Sequence, residues 1–240
     1  NVEAGFSPTA ALVKAVIMQG GQRMAYPKQR DDLGIFPDYN QGHGSLELSQ
    51  VLWFGRNSPH FNLSAMDRQE VSDGEQWGLC VSGVASSQPL KVTLHWTDPP
   101  ANANAFYTLV NNLDLALEHT ETGGRRYGNA VPGTHHDGTF VPMLDDLNNN
   151  EQVEWELPDG DFRVLVSGRD VAIGPQSFAL VVTGSFLTAE ACAVSANLCP
   201  GGGSCSGHGR CMSGGFCVCD PTHAGADCAT ENAVLPANAE

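Results

Sequence analysis

The sequence predicts a mainly β protein: an antiparallel jelly-roll β-sandwich, preceded by one helix with loops and followed by a small disulfide-rich module. Three observations predict this fold class. Apolar and polar residues alternate in several short segments after about residue 71, turn-forming residues separate these segments, and seven of the eight cysteines crowd into residues 192–228. Because no helical pattern lies between the alternating segments, the strands are expected to pair antiparallel.

The opening segment predicts a helix over residues 6–20. Ser7 is a suitable N-cap, Pro8 occupies the first helical position, and Gly20 and Gly21 end the helix. Four apolar residues recur at helical spacing and form one stripe: Leu12, Val13, Val16 and Ile17. Such a stripe needs a partner surface, and we expect that surface to lie outside this chain.

The strands are predicted where every second residue is apolar. Trp77, Leu79 and Val81 open the series, and residues 183–184 close it. The intervening alternating segments are 90–97, 109–117, 152–157, 162–166 and 178–182.

The same alternation places Cys80 on the outer face of its strand, away from the core. Cys192 lies just past the last predicted strand, and the other six cysteines fall in the tail. We therefore expect a Cys80–Cys192 disulfide that fastens the tail to the outside of the sandwich.

Charge and composition exclude several classes of function. Twelve Lys and Arg face 27 Asp and Glu, which gives a net charge of −15, and no basic cluster exceeds Arg125 and Arg126. Nucleic-acid binding needs concentrated positive charge, so no nucleic-acid partner is expected. The longest apolar runs are too short for a membrane span, and the acidic surface is compatible with divalent cations or simply with solubility.

The cysteine density indicates an extracellular or cell-surface protein, because disulfides persist in oxidising compartments. The sequon at Asn62 makes this asparagine a candidate glycosylation site. The first residues carry no secretory signal, so we expect the chain to begin inside a longer or processed protein.

Residues 199–228 resemble an EGF-like domain of the tenascin or integrin-repeat type. Five, five, five, one and eight residues separate the six cysteines, and the SGHGRC run at 206–211 strengthens the resemblance. Sequence alone permits 15 pairings of six cysteines. The resemblance implies the pairs Cys199–Cys211, Cys205–Cys217 and Cys219–Cys228, and an attachment role through extracellular protein partners. A zinc cluster is the rival interpretation, but paired CxxC units are absent from the sequence.

Residues 7–184 resemble the end of a subtilisin-like serine protease of the branch that carries a β-sandwich after its catalytic domain. The helix at 7–21 is similar to the family's late helix, and YNQGHGSLEL at 39–48 is similar to the end of its catalytic domain. The sandwich matches are LKVTLHWTDPPAN at 90–102, LVNNLDLAL at 109–117, YGN at 127–129, NNNEQVEW at 148–155 and VAIGPQSFALVV at 171–182.

The resemblance implies a division of the chain and a function. Residues 1–55 would end a catalytic domain, 68–186 would form the sandwich, 192–229 the EGF-like module and 230–240 a tail. The family's nucleophile run, GTSxA, and its Asp and His motifs do not occur in this sequence. The chain alone is therefore expected to be inactive, with an upstream Ser/His/Asp triad in the catalytic portion of the same precursor as its partner. The alternative is a structural or adhesive component of an extracellular assembly.

Calcium is the one cofactor that the sequence suggests. Asp98, Asn112 and Asp114 lie around one predicted strand, and Asp145 and Asp146 open an acidic run that continues to Glu151. Calcium prefers carboxylate and amide oxygens, and the resembling proteases bind calcium near their sandwich. The alternative is that these side chains cap their own backbone in turns.

Overall fold

The structure is a computed structural model that describes residues 6–24, 37, 41–52, 61–134, 140–194, 205–211, 217–220, 222–224 and 227–231. Its one α-helix in these ranges is α1 (Ala10–Gln19). The strands of the described part of the chain, in order, are β1 (Gly21–Gln22), β2 (Ser45–Leu46), β3 (Asn62–Val71), β4 (Gln76–Val84), β5 (Leu90–Trp96), β6 (Asn111–His119), β7 (Arg125–Tyr127), β8 (Val131–Thr134), β9 (Phe140–Met143), β10 (Asn150–Trp155), β11 (Gly160–Val171), β12 (Gln176–Gly184), β13 (Thr188–Cys192), β14 (Gly209–Cys211), β15 (Cys217–Cys219), β16 (His223–Ala224) and β17 (Thr230–Glu231).

Two antiparallel sheets form a sandwich, which confirms the predicted fold class. One sheet has the order β10-β5-β12-β3, and the other has the order β13-β4-β11-β6-β7. The core lies between them, because both sheets contribute apolar residues to one buried cluster. On β5 the predicted alternation holds, since Leu90, Val92, Leu94 and Trp96 all belong to this core. The indole Nε1 of Trp96 also donates a hydrogen bond to the carbonyl of Asn111 at 3.0 Å.

The strand bounds differ from the expected sandwich bounds of 68–186. β3 begins at Asn62 and pairs with β12, and β13 extends the other sheet to Cys192. β10 ends at Trp155, so Leu157, which the alternation placed on the inner face, is 76% exposed.

The predicted start of the helix is wrong. α1 begins after Thr9, whose hydroxyl accepts a hydrogen bond from the amide of Leu12 at 3.1 Å, so Thr9 rather than Ser7 is the N-cap. The reason lies in β3: the carboxylate of Asp67 accepts from the Thr9 amide at 2.9 Å and from the Thr9 hydroxyl at 2.6 Å. This tertiary contact fixes Thr9 as the first residue that caps the helix.

The expected apolar stripe is half wrong. Leu12 is buried and Val16 packs beside it, but Val13 and Ile17 are 46% and 49% exposed. The buried face instead carries Ala11, Leu12, Ala15 and Gln19.

The expectation that the helix has no partner surface within the chain is also wrong. α1 lies on the outer face of the first sheet, where Ala11, Leu12 and Ala15 cluster with Ala179 and Val181 of β12. Small residues on both surfaces let the helix approach the sheet closely.

The disulfide between Cys80 and Cys192 is present in the structure, with 5.7 Å between the two Cα atoms. It joins β4 to the edge strand β13, on the outer side of the strand that buries Leu79 and Val81. In the tail, Cys205 bonds to Cys217 and Cys219 bonds to Cys228. The pair Cys199–Cys211 lies outside the described residues. Within the ranges that the structure describes, no helix has the length and apolarity to cross a membrane.

Candidate functional site

A buried polar layer lies between the end of α1 and the first sheet, beside the apolar contact of α1 with β12. Gln19, in the last turn of α1, is 1% exposed. Its side-chain amide donates to the carbonyl of Lys91 at 2.9 Å and to the hydroxyl of Thr183 at 2.7 Å, and its carbonyl accepts from the hydroxyl of Thr93 at 2.5 Å. Gln152 of β10 extends the layer, because its amide donates to the hydroxyl of Thr93 at 2.8 Å. Gln19 thereby ties the end of α1 to two strands.

Lys91 contributes a buried positive charge to this layer. Its ammonium donates to the carbonyl of Gly21 at 2.6 Å, and the residue is only 7% exposed. Burial lowers the pKa of Lys91, and the carboxylate of Glu154, whose residue pairs with Lys91 across the sheet, opposes that shift. Gly21 is required at this contact, because a Cβ there would stand 2.0 Å from the carbonyl oxygen of His43.

Two histidines complete the polar layer. His95 of β5 is 3% exposed, and its Nδ1 is buried without a hydrogen-bond partner. The Nε2 of His43 lies 3.2 Å from the side-chain amide oxygen of Asn150. The Nδ1 of His43 is likewise buried without a hydrogen-bond partner. Burial, followed by the charges of Lys14 and His43, lowers the pKa of His95 to about 4. Burial also lowers the pKa of His43.

A second polar site lies at the edge of the sandwich, where β6, β10 and the loop between β9 and β10 meet. We call Asp114, Asp145 and Glu151 the carboxylate cluster. Asp114 and Glu151 are 2% and 1% exposed. One oxygen of Glu151 accepts from the backbone amide of Leu115 at 2.6 Å. Both oxygens of Asp114 are buried without a hydrogen-bond partner, and the nearest cation, the guanidinium of Arg169, is 3.6 Å away.

Electrostatic interactions link the three carboxylates of this cluster, although their oxygens do not all lie within 4.8 Å of one another. Burial raises the pKa of Asp114 to about 6, an effect that Arg169 opposes. Burial and the neighbouring charge of Asp114 raise the pKa of Glu151 well above its usual range. A carboxylate that is buried without a full partner either takes up a proton or binds a metal ion.

The structure does not gather the five suggested calcium ligands into one site. Asp98 uses its two oxygens to accept from the backbone amides of Val110 and Asn111, both at 2.8 Å, which closes the loop before β6. Asp145 accepts from the side chain of Asn129, at 2.9 Å, and also caps its own turn. Asp146 is exposed.

Asn112 is the remaining suggested ligand, and its side-chain oxygen is buried without a hydrogen-bond partner. Glu151, the last residue of the acidic run, belongs to the cluster although it was not among the five suggested ligands. The signal for Glu151 was its place on the inner face of β10, beside Val153, where a charged residue is unusual.

Among the described residues, the sulfur atoms of three cysteines lie within 4.8 Å of one another, as a metal site would require. They belong to Cys205, Cys217 and Cys228. These cysteines are already held in disulfides, which removes them as zinc ligands. Asn62, the candidate glycosylation site, is exposed on β3, and its side-chain nitrogen donates to the carbonyl of Phe186. Its glycosylation stays a prediction.

The described residues form a mainly β sandwich with one helix packed on it and two buried polar sites. No family model matches the chain. It is similar to three proteins of Dictyostelium discoideum, the serine protease/ABC transporter B family proteins tagA, tagD and tagB. The identities are 30% over 188 residues, 28% over 228 and 27% over 230.

These alignments cover 76–77% of the chain but only 10–12% of each relative. The chain is thus distantly related to a protease-related family, and it spans about a tenth of the length of the relatives it matches.

Proposed function

We propose that this chain is the non-catalytic C-terminal portion of an extracellular subtilisin-like serine endopeptidase, whose Ser/His/Asp triad lies upstream in the same polypeptide. The observation that carries the proposal is the similarity, over 76–77% of the chain, to relatives named serine protease/ABC transporter B family proteins. The ordered subtilase-like motifs and the missing nucleophile run support it. The disulfides agree with a secreted protein, because they persist in oxidising compartments.

The exposed side of α1 is the surface that we assign to the catalytic portion. Val13 and Ile17 of α1 are 46% and 49% exposed, and Leu46 of β2, Leu48 and Leu52 after it are 51%, 43% and 44% exposed. We call these five residues the docking face. Because most of each relative lies outside the matched region, the occupant we propose is the catalytic portion of the same chain.

Labelling with a fluorophosphonate probe tests the proposal. We expect the isolated chain to remain unlabelled, because it contains no nucleophile run, and the intact polypeptide to be labelled upstream of Asn1. Sequencing the same polypeptide should find the GTSxA run there. An intact polypeptide that lacks this run and is not labelled would favour the rival function, a structural or adhesive component that attaches through the EGF-like module.

Substitution of the docking face gives a separate prediction. In the intact polypeptide, we expect Val13→Asp with Ile17→Asp to reduce peptidase activity at least tenfold, because two charges would be buried against the catalytic portion. The melting temperature of the isolated chain should change by less than about 2 °C, since both side chains face solvent there.

The matched control is Leu157→Asp, at an apolar residue that is 76% exposed at the end of β10. This variant should keep the activity of the intact polypeptide. Equal activity in the docking-face variant and the control would contradict the assigned surface.

We also propose that the carboxylate cluster binds calcium. The oxygens of Asp114 and the side-chain oxygen of Asn112 are buried without hydrogen bonds, which favours this second function because calcium takes carboxylate and amide oxygens. Glu151 would supply a further oxygen, whereas both oxygens of Asp145 already accept hydrogen bonds. The bound ion would neutralise the buried charges and stabilise the edge of the sandwich, without a part in peptide hydrolysis.

A further inference from the structure

We propose that the contact between the sandwich and the N-terminal segment, residues 6–24 and 41–52, is a latch that acid opens. The segment holds on through the polar layer of Gln19, Lys91, Thr93, His43 and His95, described above. This contact is unusual because it buries two histidines whose charged forms are disfavoured by burial. Protonation of either one would bury a new positive charge in the layer.

The surroundings of His95 contain positive groups and no direct acidic partner among the described residues. α1 presents Lys14, the turn before β2 presents His43, and β5 itself presents Lys91 on the same face. Glu154 of β10 is an acidic group that interacts with this layer, and it acts on Lys91. β12 presents only uncharged side chains to α1: Ala179, Val181 and Thr183.

His43 has the same character. Its Nε2 contacts the amide oxygen of Asn150, and its charged neighbour is Lys91. Burial lowers the pKa of His43 and outweighs the side chains of Asn150 and Gln152, which favour its charged form. Both histidines therefore resist protonation while the segment is closed.

The direction of the pH effect follows from linkage. A group whose pKa is lowered in the folded state contributes stability above its unfolded pKa, and that stability is lost as the pH falls toward the folded value. For His95 the window runs from 6.5 down to about 4. Within that window His95 binds a proton when the segment is open and does not when the segment is closed.

Asp67 acts in the same direction at the other end of α1. Although burial opposes the shift, the hydrogen bonds from Thr9 and the charge of Arg68 lower the pKa of Asp67. Its contribution is lost only below about pH 4, so the histidines respond first as the pH falls.

The latch itself involves this chain alone. Only its consequence rests on the proposed function: acid would loosen the catalytic portion from the sandwich.

Amide hydrogen exchange on the intact chain tests the latch. We expect the α1 amides, residues 10–19, to exchange through a local opening that costs less free energy than exchange of the β11 amides. After correction for the intrinsic rates, the opening constant of α1 should rise about 30-fold between pH 7.5 and 5.0 through His95 alone. An unchanged constant, or α1 exchange only together with β11, would overturn the latch.

Two further measurements assign the effect to the histidines. His43→Gln with His95→Gln should reduce the pH response of α1 to less than about threefold, whereas the control His119→Gln should keep it. Because the double variant could fail to fold, the ring signals of the wild type are titrated by NMR as well. His95 should titrate below pH 5, and a midpoint near 6.5 would contradict the inference.

Discussion

Replacement of Cys80 and Cys192 by serine is expected to lower the free energy of unfolding of the sandwich by about 4–5 kcal/mol. The disulfide joins residues that are 112 positions apart, so its loss restores much conformational freedom to the unfolded chain. It also releases the edge strand β13, which pairs only with β4. Urea denaturation followed by tryptophan fluorescence, without reductant, measures the difference.

The tail provides the control for this prediction. Cys219 and Cys228 close a loop of nine positions that lies wholly outside the two sheets. Their replacement by serine should leave the urea midpoint of the sandwich unchanged. If the Cys80–Cys192 variant also unfolds at the wild-type midpoint, the bridge does not stabilise the sandwich.

The strands of the core could be predicted from the sequence because their period of two is a local property. On β5, four alternate residues are apolar, and the same alternation placed Cys80 outside the core on β4. A disulfide between Cys80 and Cys192 could therefore be predicted from the sequence. The N-cap could not be predicted, because Thr9 is selected by Asp67, which lies 58 positions away.

The polar layer gave no local signal. Lys91, Thr93 and His95 occupy the polar side of an alternating strand, which is the usual pattern of a solvent-exposed face. They are buried because α1 covers them, and coverage by a distant element is a tertiary effect. The same argument explains why Val13 and Ile17 were assigned to the wrong face: Ala11 and Ala15 fit the small residues of β12, so the helix is rotated away from its larger side chains.

The acidic residues show why a motif alone could not define the metal site. Asp98 closes a loop through two backbone hydrogen bonds, whereas Asp114 is buried without a hydrogen-bond partner and has the guanidinium of Arg169 3.6 Å away as its counter-charge. Turn chemistry therefore describes Asp98 and Asp145, and the calcium interpretation concentrates on Asp114, Asn112 and Glu151. The difference depends on hydrogen bonds to residues far apart in sequence.

Asp114→Asn should have opposite effects on stability without and with calcium. The pKa of Asp114 is raised to about 6 in the fold, so the stability linked to its protonated form is lost as the pH rises through that value. At pH 7 without calcium, the ionised side chain costs up to about 3 kcal/mol. The asparagine removes this cost and should raise the melting temperature in EGTA.

With calcium the order should reverse or the gap should close, because only the wild type gains from the ion. At a calcium concentration of 100 times the dissociation constant, the gain is about 2.7 kcal/mol. Asp146→Asn is the matched control, since Asp146 is exposed, and it should follow the wild type in both conditions. A wild type whose melting temperature ignores calcium would exclude the ion, while a variant that is less stable in EGTA would mean that the charge of Asp114 is already balanced, by Arg169, without one.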